Sequence, residues 1–177
     1  MQMATHNNYK TILASISVAV FLLAISGCAP KRITGFEKSD LSIDAGSRLA
    51  LQVADTAQTQ IGKPYNLGGA TPQRGFDCSG LVYWAYAQHG VTVPRITTKQ
   101  AQSGIPVARN KLIPGDIIVF RAPAAPNGLH TGIYTGGGKF VHSLNSKSRV
   151  QLGDLTNSHW DKNYLTARRV ISVQANR

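Results

Sequence analysis

Cysteine is scarce in this chain of 177 residues: there are two, Cys28 and Cys78. That excludes a small fold stapled by several disulfides. There is no Cys-x-x-Cys and no His-x-x-x-His, so the common spacings of a zinc site are missing. Acidic residues are also few, 8 against 19 Lys plus Arg, for a formal charge of +11 and a pI of about 10.1. Such an excess draws the chain to something anionic: nucleic acid, a membrane surface or an acidic polymer. The bland reading is a solvated basic face. Only Lys31-Arg32 and Arg168-Arg169 are adjacent basic pairs. No dense Lys/Arg block is interleaved with aromatics, so nucleic acid is not the expected partner. No internal repeat or low-complexity tract is visible. The hydrophobic fraction of 42% suits one globular core.

The longest apolar run, residues 11–25, is short for a membrane span, which needs about 20 residues. It follows a polar stretch carrying Lys10 and precedes Ser26-Gly27-Cys28. This is the layout of a secretory leader, and small residues before a cysteine resemble a bacterial lipobox. The expectation is a signal peptide over 1–27, lipid (palmitate among the acyl chains) on Cys28, and a tether over 28–45. A plain signal peptide or an uncleaved anchor is the alternative. Acyl chains insert at about 0.8 kcal/mol per buried CH₂, and two or more give stable anchoring. Ala29, rather than Asp, follows Cys28. By resemblance to lipoprotein sorting, this points to the outer membrane, facing the periplasm. The leader removes only Lys10 from the basic excess, so the charge belongs to the rest of the chain.

If Cys28 carries lipid, Cys78 is left as the one free thiol in an oxidising compartment. It sits in Phe76-Asp77-Cys78-Ser79-Gly80, before the amphipathic run Leu81 to Tyr86 and the stop signal His89-Gly90. The spacing predicts a helix beginning at Cys78 with Asp77 at the N-cap. A helix N-terminus carries roughly half a positive charge, which favours the nucleophilic thiolate. A buried structural cysteine is the alternative.

The remaining elements follow from period and punctuation. Ser47 to Gln60 reads as a helix stopped by Gly62 and Pro64. Lys63 to Gly69 is a loop. Val93-Pro94-Arg95 is extended, and Thr97 to Gln102 is a short helix capped by Thr97 or Thr98. Beyond this come β-branched and aromatic runs between turns: Ile117 to Phe120, His130 to Tyr134, Lys139 to Ser143, Val150 to Leu152 and Tyr164 to Val173. Ala122 to Gly128 is a Pro- and Ala-rich loop. Helices first and an antiparallel sheet after predict an α+β domain over 46–177.

Cysteine catalysis needs a thiolate, a base beside it and a third group that fixes the base. His130 and His142 are the candidate bases. They lie on strands joined by the Gly136-Gly137-Gly138 turn, so they can meet across a hairpin and one imidazole can orient the other. Taken alone, each reads more readily as a satisfied structural histidine. His6, His89 and His159 are weaker candidates. A metal site on Cys78, His130 and His142 lacks the expected spacing, so no metal and no cofactor is expected.

Six segments occur in order: Pro64-Tyr65-x-x-Gly68-Gly69, Phe76 to Gly80, Pro94-Arg95, Leu112-x-Pro114-Gly115-Asp116, His130-x-Gly132-Ile133-Tyr134 and Phe140-Val141-His142. Together they resemble the NlpC-type cell-wall cysteine peptidases, over about residues 47–172, and the leader makes the chain resemble their lipoprotein murein endopeptidases. The resemblance implies a minimal, circularly permuted papain-like fold with helices packed on an antiparallel sheet. It implies Cys78 as nucleophile, His130 as general base and acid, and His142 as the residue orienting His130. Tyr65 would assist the oxyanion alongside the Cys78 backbone N–H, and Asp77 and Ser79 would line the substrate side. Arg95 has two readings, a contact to a carboxylate of the peptide stem or a pairing with Asp77 or Asp116. Three positions depart from the usual pattern: Leu67 where an aromatic is common, Ile96 where a hydroxyl is usual, and Thr131 where Val is common. The last reads as inconsequential for the chemistry.

The implied activity is hydrolysis of an amide bond in peptidoglycan by a monomer held to a membrane through its lipid. The bond is either γ-D-glutamyl–diamino acid or D-alanyl–diamino acid. A wall-binding lipoprotein without activity, or an acyltransferase on the same fold, are the alternatives.

Overall fold

The computed structural model describes residues 44–145 and 148–173. The leader, Cys28 and all of the tether but its last two residues lie outside the described residues. The first described helix starts slightly earlier than predicted. Helix α1 spans Ala45–Gln58, and the Asp44 carboxylate caps it by accepting from Ser47 N at 3.0 Å. Ala50, Val53, Ala54 and Ala57 recur at helical spacing and are buried.

Two short strands follow, β1 (Ala70–Thr71) and β2 (Gly75–Phe76), forming a small antiparallel ribbon. Helix α2 spans Cys78–Ala87 with Asp77 as N-cap. It is buried on several sides, at Ser79, Gly80, Leu81, Val82, Ala85 and Tyr86. That is why its run reads as nearly continuous apolar sequence rather than a clean stripe.

Helix α3 is shorter than predicted, Thr97–Gln100, and its N-cap is Ile96 with no side-chain cap bond. The expected hydroxyl cap is therefore corrected. Thr97 lies inside the first turn and is buried, with its Oγ1 3.8 Å from Cys78 Sγ rather than capping the helix. Strand β3 (Ile105–Val107) and a 3₁₀ turn (Arg109–Lys111) follow. Neither was predicted, because three residues carry too little period to register.

Strands β4 (Ile117–Arg121), β5 (Leu129–Gly136), β6 (Lys139–Ser143), β7 (Val150–Asp154) and β8 (Tyr164–Arg169) complete a six-stranded sheet. Its order is β3-β8-β4-β5-β6-β7, and all the pairings are antiparallel. Strand β8 ends at Arg169, earlier than predicted. Helix α4 (Ser158–Asn163) lies between β7 and β8. The β5–β6 hairpin turns on Gly136, Gly137 and Gly138, all with positive φ (100°, 58° and 75°), a conformation that side-chain-bearing residues adopt only at a cost.

Strand β4 is buried along both faces. Ile117 joins a core with α1 and α2. Ile118 and Phe120 join a second cluster with Phe140 and Leu155, flanked by Trp160 and Tyr164. A central strand covered on two sides needs no polar alternation, which explains the run Ile-Ile-Val-Phe. Across the first core, the Tyr86 hydroxyl donates to Gly115 O, locking α2 onto the turn before β4. No helix among the described residues is long and apolar enough to cross a membrane.

Candidate active site

The site is assembled from the start of α2 and the β5–β6 hairpin. Asp77 organises the first part. Its Oδ1 accepts from Gly80 N at 2.6 Å and its Oδ2 from Gly68 N at 2.9 Å. Arg95 grips both oxygens, Nη1 to Oδ1 at 3.0 Å and Nη2 to Oδ2 at 2.8 Å. The same guanidinium donates to Ser79 Oγ at 3.0 Å and Gly69 O at 3.2 Å. Of the two readings of Arg95, its planar fork is thus matched to an internal carboxylate, and Asp116 belongs to Arg169 at 2.8 Å. Asp77 and Ser79 do line the cleft, but they are buried and their polar atoms bond within this clamp.

Gly80 and Gly69 make the clamp possible. A Cβ on Gly80 would stand 2.0 Å from Gly69 O. The loop carrying Tyr65 can cross the first turn of α2 only because position 80 has no side chain.

Cys78 is a free thiol, half-buried at the first position of α2. Its Sγ lies 3.8 Å from Thr97 Oγ1. Tyr65 lines the same cleft. Its hydroxyl is held above its ordinary range by desolvation first, then by Cys78 and Asp77, so it stays protonated and able to donate.

The second part is the histidine pair. His130 on β5 and His142 on β6 are buried, and His130 Nε2 lies 3.0 Å from His142 Nδ1. Gly132 creates the room for this contact. It neighbours His142 across the hairpin, and a Cβ there would come 3.2 Å from His142 Cβ and 2.8 Å from Val141 O. With no side chain at that position, the imidazoles meet diagonally. Among the described residues no group of three or more His, Cys, Asp and Glu could hold a metal ion.

Aromatic rings enclose the pair. Trp160 from α4 packs edge-on to His142 with centroids 4.7 Å apart and lies 5.6 Å from His130. Phe140 lies 5.0 Å from His142 and Phe120 6.2 Å from His130. Burial pushes both imidazoles well below the usual histidine range; for His130 the neighbouring His142 and then His159 add to it. Desolvation disfavours imidazolium, so both rings rest neutral.

Cys78, His130, Tyr65 and the clamp residues line one cleft of about 860 Å³. Its outer wall is apolar: Leu67, Ile96, Ala124, Ala125, Pro126 and Leu129. The predicted loop after β4 therefore forms cleft rim. Trp160, Thr97 and Gln100 are the residues that sequence reasoning missed. A signal existed for Trp160: Asn157 caps α4 by accepting from His159 N at 2.9 Å, and Asn followed by an acid within the first turn marks a helix start. Of the weaker histidines, His89 hydrogen-bonds Thr56 Oγ1 at 2.8 Å, tying α1 to the end of α2. His159 meets Trp160 edge-on with centroids 4.9 Å apart, and His6 lies outside the described residues.

Comparison with known proteins places this arrangement. Residues 62–169 match the NlpC/P60 family. The chain is 39% identical over 116 residues to the murein DD-endopeptidase MepH of Escherichia coli K12, covering 64% of this chain and 43% of MepH. It is 40% identical over 138 residues to the murein DD-endopeptidase MepS/murein LD-carboxypeptidase of the same strain, covering 77% of this chain and 69% of that protein. A crystal structure of an NlpC/P60 family protein from Bacillus cereus superposes with a TM-score of 0.64 at 30% identity, over 74% of this chain and 42% of that one. The chain thus spans less than half the length of MepH and of the Bacillus protein. The α+β fold, the ordered motifs and these matches agree: the chain belongs to the NlpC/P60 family.

Proposed function

We propose that this protein is a peptidoglycan hydrolase that cuts an amide bond of the wall peptide through Cys78, His130 and His142. The observation that carries the reading is the paired geometry of one cleft. A free thiol at a helix N-terminus and a buried, neutral histidine line it together, and a second histidine holds the first. Two of the matched relatives bear the name murein DD-endopeptidase, which supports the substrate class.

The atoms define the roles. His130 Nε2 is bonded to His142 Nδ1, so Nδ1 of His130 is the nitrogen left to serve Cys78. In the productive tautomer His130 Nε2–H donates to His142, and His130 Nδ1 is bare. It takes the thiol proton as Sγ attacks the amide carbonyl. The oxyanion that forms is met by the Cys78 backbone N–H and the Tyr65 hydroxyl. Collapse breaks the C–N bond, and His130 returns the proton to the departing amine. Water, deprotonated by His130, then opens the thioester and restores the thiol.

The scissile bond we favour is the D-alanyl–diamino acid cross-link. Arg95 is neutralised by Asp77, and the cleft wall beyond it is apolar. Such a cleft suits an acyl residue with a methyl side chain better than γ-D-glutamate, which carries a carboxylate near the scissile carbonyl. A stem carboxylate brought here would find no cation free of its own partner among the described lining residues.

We also propose that Cys28 carries lipid and holds the protein on the outer membrane, on the strength of the leader pattern alone. Mass spectrometry of the N-terminal peptide from wild type and Cys28→Ala tests it. An unmodified Cys28 in a membrane fraction would remove the anchor.

The activity is tested by digesting defined muropeptides with the purified protein and with Cys78→Ala, reading products by mass spectrometry. Cross-linked dimers becoming monomers supports the reading. A stem shortened at D-glutamate would replace the bond while keeping the enzyme. Equal products from wild type and Cys78→Ala would remove Cys78 from the mechanism.

A further inference from the structure

Thr131, the residue after His130, departs from the family's usual apolar side chain, and its position gives that departure a consequence. Its hydroxyl is buried, with the residue 0% exposed, and donates to Gln100 Oε1 at 3.0 Å. Gln100 is also 0% exposed. Its Nε2 donates to Ser79 O at 2.9 Å and to Pro94 O at 2.8 Å. Two carbonyls on one side and a hydroxyl on the other fix which end of the amide is nitrogen.

The partners are neighbours of the chemistry. Ser79 follows Cys78. Thr131 follows His130. Pro94 precedes Arg95, which grips the N-cap of the Cys78 helix. One buried amide therefore connects the start of α2, the segment leading into α3 and strand β5. The rest of the α2–β5 contact is apolar packing, which is non-directional. Directional bonds are what hold a reacting pair to a fraction of an ångström.

We propose that Gln100, acting through Thr131, is a positioning residue that sets the approach of His130 to Cys78. This rests on the reading of those two residues as base and nucleophile. Without the Thr131 hydroxyl, Gln100 Oε1 is left buried with no donor, and the amide loses its hold on β5. The chemistry then slows through geometry, because misplacement of a reacting group lowers rate far more than it lowers binding.

The test compares Thr131→Val, which keeps the shape and removes the donor, with Thr131→Ser, which keeps the donor. The full protein is assayed two ways. One is kcat and KM on cross-linked muropeptide dimers. The other is the pH–rate profile of Cys78 alkylation by iodoacetamide, read at the Cys78 peptide, which needs no wall substrate. Thr131→Val is expected to lower kcat about tenfold with KM within about twofold, to slow neutral-pH alkylation severalfold and to shift its profile. Thr131→Ser is expected to stay within about twofold of wild type in both. A Thr131→Val protein with wild-type kcat and alkylation profile would overturn the proposal, even with a lowered thermal midpoint. Equal losses in Val and Ser variants would also overturn it, because the hydroxyl would then be irrelevant. Should Thr131→Val fail to fold, Thr131→Ala removes the same donor and carries the same comparison. A wild type that leaves dimers intact would refute the proposed hydrolase, while the alkylation comparison would still decide the role of Gln100.

Discussion

His130 Nε2 and His142 Nδ1 are 3.0 Å apart inside a wall formed by Trp160, Phe140 and Phe120. The contact joins residues on adjacent strands and leaves Nδ1 of His130 as the nitrogen not engaged by His142. In the proposed mechanism this contact would fix the tautomer of His130 by giving its Nε2–H an acceptor, the third requirement of a nucleophile–base–orienter arrangement.

The first expectation concerns that acceptor. His130→Ala should abolish dimer cleavage. His142→Ala should lower kcat by about 10² to 10⁴, the range of a lost general acid–base arrangement, with a smaller change in KM. His142→Gln still offers an oxygen to His130 Nε2–H and should retain more activity than His142→Ala. Steady-state kinetics on purified dimers measure this. Equal activity in the Gln and Ala variants would show that His142 does not orient the base.

The second follows from burial of the same rings. Both folded-state pKa values are lowered, while an unfolded histidine titrates near about 6.5. Below that value the unfolded chain binds more protons than the native one, so stability falls as pH drops. It is fully present above about pH 6.5 and declines by up to about 1.4 kcal/mol per pH unit for each such histidine. Urea midpoints should therefore fall between pH 7.5 and 5.5. His142→Gln, which has no proton to gain at that position, should show a shallower fall. An unchanged slope would place His142 outside this linkage.

The third concerns Asp77 and Arg95, whose side chains are 12% and 32% exposed. Arg95→Ala leaves a largely buried carboxylate short of its strongest partner and should cost about 2 kcal/mol, the scale of a charge-assisted hydrogen bond. Asp77→Ala and the double variant complete a cycle whose coupling should be clearly favourable. Urea denaturation gives all the values. A raised KM with an unshifted midpoint in Arg95→Ala would return Arg95 to the role of substrate ligand.

The fourth concerns the close approach of Gly80 to Gly69 O, where an added Cβ would stand 2.0 Å from backbone oxygen. In an open helix Gly→Ala stabilises by up to about 1 kcal/mol. Here Gly80→Ala should destabilise by about 2 kcal/mol or more, since overpacking against backbone typically costs about 1 to 3 kcal/mol, and should displace the Tyr65 loop. Thermal unfolding and activity read the two effects. A raised midpoint would mean that the loop gives way freely.

What was legible in the sequence was what local rules govern. The Asp77 cap, the helix that starts at Cys78, the triple-glycine hairpin and the strands bearing His130 and His142 all follow from residues close together in the chain. Caps, turns and period-2 runs are short-range physics, and they carried the three candidate catalytic residues to defined places on defined elements. Short elements escaped for the same reason. Strand β3 and helix α4 have too few residues to show a period, and with α4 went Trp160.

The sequence by itself determined the α+β class, the place of Cys78 at a helix start and the pairing of two histidines across a tight turn. Only the tertiary structure decided which partner each polar side chain takes. Arg95 had Asp77 and Asp116 as possible partners, and spatial proximity gave it the first and gave the second to Arg169. Thr131 looked inert in sequence and is bonded to Gln100, 31 positions away. Hydrogen bonds and ion pairs of this kind depend on distances of about 3 Å between segments remote in the chain, and no local pattern encodes such a distance.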